Sequence, residues 1–276
     1  MVGYFGLAAV LCTIFFRTRP AQSPSPVTES EDIPIVRAFL SCVTKRNFWL
    51  IAPVFWIMAS MYWSLGVLLD ATMTSVGYTT QQTSIPGILF MAIAIPAMVF
   101  IGYYLDNTRR FWYASMLSSV GAVVFLALFT FAVQVPSSES YGYGLTIFAV
   151  TAAGFFFSTL QPALLEFVAE ASYPANEGMS CMLMYLGTQV TGIVYNMVYA
   201  PLSKASGTPT VPNAVYTAIC AAAAVVLAFS AAAPHLRSQA EDASTNWAIT
   251  GLAARELEAG GGGTGKNKAT ATAGEK

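Results

Sequence analysis

Charge is what this 276-residue chain has least of. Only 10% of its residues are Asp, Glu, Lys or Arg, where a soluble domain carries about a quarter. The net charge is −1, which removes the electrostatic footprint that a nucleic-acid partner requires. There is one histidine, His235, and it closes an apolar run. With no Ser-His-Asp set and no metal-ligand set, an enzyme is not expected, nor is a cofactor. The four cysteines, Cys12, Cys42, Cys181 and Cys220, have no ligand spacing and read as small packing residues; Cys42, juxtamembrane, is also a candidate for acylation. No Asn-x-Ser/Thr site occurs. Gly260 to Lys266 has the spacing of a phosphate loop, but Asn267 stands where Ser or Thr must be and no strand precedes it.

What fills the chain instead is apolar sequence, at 55% of residues. Runs near the ~20-residue bilayer length occur at 3–16, 48–69, 85–105, 112–133, 144–168, 179–201 and 214–234. A segment that crosses lipid must satisfy its own backbone hydrogen bonds, so these predict an all-α membrane protein with about seven transmembrane helices. Run one lacks the leading positive charge of a secretory signal. It is read as a transmembrane helix over 1–17 that ends a missing N-terminal half. A Pro-, Ser- and acid-rich cytosolic linker is expected over 18–47, a six-helix bundle over 48–234, and a disordered cytosolic tail over 235–276.

Orientation follows from the basic residues. Arg17, Arg19, Arg37, Lys45 and Arg46 fall between runs one and two, Arg109 and Arg110 between three and four, and five more follow run seven. Only Lys204 lies opposite, so the positive-inside rule places the N-terminus outside and the C-terminus in the cytosol.

Four groups of residues stand out inside this frame. Trp56, Ser60, Trp63, Val67 and Asp70 recur at helical spacing and share one face of run two. Tyr185, Gln189 and Gly192 do the same in run six. Indole and phenol faces attract cations, quaternary ammonium best of all, and an amide inside a bilayer needs a partner, from another helix or a ligand. The alternative for Trp56 and Trp63 is packing or lipid contact. Glu166 and Glu170 sit one turn apart at the foot of run five, where acids gate, pair or anchor. Asp106, Arg109 and Arg110 lie at the turn between runs three and four.

Two motifs resemble known families. Gly102-Tyr-Tyr-Leu-Asp106-Asn-Thr-Arg109-Arg110 resembles the cytosolic loop signature of major facilitator superfamily transporters, with Arg109 in place of the inner glycine. Pro162, Glu166, Glu170, Tyr173-Pro174, Glu177-Gly178, Ser180, Gln189 and Gly192-Ile193 resemble, without a gap, helices ten and eleven of the feline leukaemia virus subgroup C receptor-related transporters. Leu68-Leu69 and the Pro-x-x-Ser-Pro linker are similar to that family too.

The resemblance covers roughly residues 1–235 and implies helices 6–12 of a twelve-helix fold. It implies transport of a small organic solute, a choline-like amine or haem, by alternating access with the missing half or with a second copy. It further implies that Trp63, where relatives have Tyr, and Gln189 line the site. Tyr185 stands where relatives have Asn, and Trp56 belongs to the same face. Glu166 and Glu170 would act at the cytosolic gate, with Asp106, Arg109 and Arg110 holding the loop. The competing expectations are a seven-helix receptor of the same orientation and a non-transporting fragment.

Overall fold

The computed structural model describes residues 35–135, 140–173 and 177–230. Run one, most of the linker, the end of run seven and the tail lie outside the described residues. Every regular element among those described is helical: α1 (Ile35–Val43), α2 (Arg46–Thr74), α3 (Thr80–Ala92), α4 (Ala94–Thr108), α5 (Phe111–Ala132), α6 (Ser140–Ser172), α7 (Glu177–Ser206) and α8 (Thr210–Phe229). Helices α2 to α8 correspond to runs two to seven, with α3 and α4 forming one crossing. Residues 35–43, expected within the flexible linker, are helical.

Local chemistry sets the boundaries. A capping box opens α3: Thr79 Oγ1 accepts from the Gln82 backbone N–H at 3.3 Å, and Gln82 Oε1 accepts from the Thr79 N–H at 3.0 Å. Pro96 has no N–H to give to the Ala92 carbonyl, and its ring crowds that carbonyl. The crossing therefore breaks at Ile93 into α3 and α4.

α4 ends at Arg109, whose N–H reaches back to the Leu105 carbonyl at 2.8 Å with φ 51° and ψ 24°. This left-handed conformation is the physical reason for a glycine at this place in the loop signature. An L-residue there costs roughly 1–2 kcal/mol. Arg109→Gly is expected to raise the unfolding temperature in detergent, and Arg109→Asn, which tolerates the conformation, to fall below it but above Arg109→Val. Equal stability of Gly and Val variants would contradict the argument.

Among the described residues, five crossings are long and apolar enough to span a bilayer: Arg46–Thr74, Thr80–Thr108, Phe111–Ala132, Tyr141–Ser172 and Thr210–Phe229. α7 has the length but carries Thr188, Gln189, Thr191 and Asn196 along its middle, so it is less apolar than its neighbours. The core lies between α2 and α6, with Phe48, Phe55, Phe90, Phe157 and Phe167 fully buried. α6 packs most heavily on α5, and also on α2, α3 and α4, while α2 packs on α7 and α8. Gly154 lets α6 approach α3, since a Cβ there would fall 2.9 Å from the Phe90 carbonyl oxygen.

Candidate functional site

The site is built where α2 crosses α7. Trp56 Nε1 donates to the Leu183 carbonyl at 3.3 Å, and Ser60 Oγ to the Thr188 carbonyl at 2.8 Å. Asn196 Nδ2 reaches Ser64 Oγ at 3.4 Å, and the Thr72 and Tyr199 hydroxyls meet at 2.5 Å. The partners climb together in sequence, so the two helices run parallel. Gly187 makes the close approach possible: a Cβ on it would fall 2.1 Å from Trp56 Cε2. Any side chain there would have to displace the indole.

Ser60 and Thr188 mark the line of contact. At 3.6 residues per turn, Trp63 lies roughly 60° from Ser60 in one sense and Gln189 roughly 100° from Thr188 in the other. On parallel neighbours, opposite rotations away from the contact line lead to the same side. Trp63 and Gln189 therefore open onto one face of the α2–α7 pair. Trp63 is 50% exposed and Tyr185 42% exposed; Gln189 is also exposed. Among the described residues Gln189 makes no side-chain hydrogen bond.

The structure thus divides the row read from the sequence. Trp56 is half-buried and Ser60 fully buried against α7, while Trp63, Val67 and Asp70 stand open. Behind the open indole, Tyr62 meets Trp63 edge-on at 5.3 Å and stacks on Phe90 at 4.9 Å. These contacts fix the Trp63 ring from its inner side. Tyr185 is held in the same way by buried Phe55, edge-on at 5.7 Å.

One residue of this face escaped the sequence reading. Asn196 follows Gln189 by two turns on α7, is exposed, and donates to the Gly192 carbonyl at 2.9 Å as well as toward Ser64, the residue next to Trp63. The signal was present as the same spacing that linked Tyr185 to Gln189 and Gly192.

The two acids belong to α6 and not to the α2–α7 pair. At the foot of α6, Glu166 is exposed and Glu170 is 5% exposed. Cys181 of α7 lies within electrostatic range of both Glu177 and Glu166, so the foot of α6 meets the head of α7. Cys42 of α1 joins that corner: its Sγ lies 3.3 Å from Ser180 Oγ and it is fully buried, which closes it to acylation. Asp106, Arg109 and Arg110 stand exposed at the α4–α5 turn. The structure therefore groups Trp56, Trp63, Tyr185 and Gln189 at one crossing, Glu166 and Glu170 at the α6–α7 corner, and the loop trio at a third place.

Residues 1–196 match the Major Facilitator Superfamily. The chain belongs to that superfamily. It is an integral, multi-pass membrane protein of that fold. Over 199 residues it is 22% identical to Solute carrier family 49 member A3 of Xenopus tropicalis, a match covering 71% of this chain and 40% of that protein. It is 24% identical over 216 residues to the Choline/ethanolamine transporter FLVCR2 of Homo sapiens, covering 75% and 40%. Against the Choline/ethanolamine transporter FLVCR1 of Felis catus it is 23% identical over 213 residues, covering 73% and 37%. The chain thus spans about two fifths of the length of these superfamily relatives. The resemblance to the feline leukaemia virus subgroup C receptor-related transporters drawn from the helix-ten and helix-eleven motif holds, with two of these relatives carrying that family's name.

Proposed function

We propose that this chain is the C-terminal half of a facilitator that moves a choline-like amine across a membrane. The observation that carries the reading is the shared opening of Trp63, Tyr185 and Gln189 onto one face of the α2–α7 pair. Transporters of this architecture bind solute near the midplane between two helical halves that rock around it. An exposed indole with its orientation fixed from behind offers a π surface to a cation, and an unoccupied amide beside it offers a polar contact that hydrocarbon would not supply.

Two relatives are named choline/ethanolamine transporters, which agrees with that chemistry. Haem is the second class that the resemblance implies, and the face suits it less. Neither α2 beyond Arg46 nor α7 before Lys204 carries a Lys or Arg to meet the carboxylates of a porphyrin. In the same scheme the two acids at the α6–α7 corner divide their tasks: buried Glu170 holds the corner, and exposed Glu166 faces the opposite half at the gate. Asp106, Arg109 and Arg110 hold the α4–α5 loop.

The test is a substrate panel on the chain completed by an N-terminal half, in cells lacking endogenous choline uptake. Saturable uptake of labelled choline or ethanolamine, without uptake of a fluorescent metalloporphyrin, is the expected result. Uptake of the porphyrin alone would overturn the amine reading.

A further inference from the structure

We infer that Asp70 is a charge-selecting residue at the far end of the open face, so that the preferred solute is one that carries a positive charge. This rests on the reading that the Trp63 row faces the solute. Asp70 follows Trp63 by two helical turns on the same row, roughly 10 Å along the axis. It stands at the end of α2 away from Lys45 and Arg46, the end that the charge distribution places outside.

The carboxylate is held from the neighbouring helix. Thr83 Oγ1 donates to Asp70 Oδ1, and Thr83 is itself buried in the first turns of α3, behind the Thr79–Gln82 capping box. Asp70 remains exposed, and no ion pair reaches it among the described residues. The nearest basic residue by position at this end is Lys204, which lies on α7 more than a turn beyond Tyr199, the partner of Thr72.

From the far end inward, the row presents a fixed carboxylate, then Val67 at 70% exposure, then the Trp63 indole. A carboxylate and a π face attract the same sign of charge. The valine between them offers no competing polar contact. A cation drawn to Asp70 is passed toward Trp63, whereas an anion is repelled by the first and gains nothing from the second. Such recruitment acts over a distance comparable with the screening length, about 10 Å at 0.1 M salt. It therefore changes capture at low solute concentration and not the rate at saturation.

The experiment measures uptake of labelled choline and of its neutral carbon isostere, 3,3-dimethylbutan-1-ol, by the chain completed with an N-terminal half. Asp70→Asn is expected to raise the half-saturating choline concentration by about tenfold in low-salt, osmotically balanced buffer, with the maximal rate unchanged. The effect should shrink to under about twofold at high salt, and uptake of the neutral isostere should not change. Asp70→Glu should retain most of the parent behaviour. If Asp70→Asn does not reach the membrane, Thr83→Val, which frees the carboxylate without removing it, should give a smaller shift in the same direction.

An unchanged half-saturating concentration at low salt, in a variant present at normal surface level, overturns the inference. If Trp63→Ala weakens choline capture while Asp70→Asn does not, the inference alone fails. If the parent protein takes up no organic cation, the substrate reading fails and the inference falls with it.

Discussion

Replacing Trp63 with alanine is expected to weaken choline binding about 30-fold in the completed transporter. A cation over a desolvated indole is worth about 2 kcal/mol, and each 1.4 kcal/mol is a factor of ten. The fold supports the upper end of that range, because the ring is fixed before any ligand arrives. Tyr62 meets its edge, Phe90 backs Tyr62, and both Tyr62 and Phe90 are buried. The alanine variant should leave this backing in place, since the open face of the ring contacts no helix of its own half. Trp63→Tyr should restore most of the affinity, as a phenol keeps a π face at the same position. Equilibrium binding of labelled choline to purified protein reads the effect. Unchanged affinity at normal expression would remove the aromatic site from the account.

A larger effect is expected from the absence of a partner half. Residues 1–276 expressed alone should show no solute transport, because alternating access needs two bundles moving about a shared site. The physical problem is visible on α7. Gln189 and Asn196 are exposed, along with Tyr185, Leu186, Ile193 and Met197, so polar amides share a face with large apolar groups. In lipid without a partner, the Gln189 amide is left without water or a protein acceptor, which is costly. The isolated chain should self-associate or turn over faster than the completed one. Its lifetime in cells, followed by pulse-chase, should lengthen when an N-terminal half is co-expressed.

Much of this fold can be read from the apolar runs, because a bilayer demands continuous helices of fixed minimum length. The six crossings described follow the runs at 48–69 through 214–234. The break between α3 and α4 was less visible, although its cause, Pro96, is local. The helix over Ile35–Val43 was hidden by its polar, Pro-rich neighbourhood, and for the same reason Cys42 stood as a candidate for acylation beside its reading as a packing residue. Its burial depends on Ser180, which only the tertiary fold brings near.

The geometry of the candidate site was legible only in part. Helical spacing placed Trp63 and Gln189 on definite faces of their own helices. Spacing alone could not separate Trp56 from Trp63, since they lie on one row. What separates them is Gly187, whose missing side chain admits the Trp56 indole and leaves Trp63 outside the crossing. Contacts between distant segments of chain leave no periodic trace in either helix. Arg109 is the reverse case: the sequence shows it only as a departure from the loop signature, and the backbone supplies the reason a glycine suits that place, a left-handed conformation.

The central claim is that these helices are one half of an amine transporter whose solute sits against Trp63 and Gln189. The most direct measurement is uptake of labelled choline into cells expressing residues 1–276 alone, the same chain with an N-terminal half, and that pair carrying both Trp63→Ala and Gln189→Ala. The account predicts saturable uptake only in the second case, with the chain alone and the double variant both at background. Transport by a stable, monomeric 276-residue chain, or full uptake by the double variant, would contradict it.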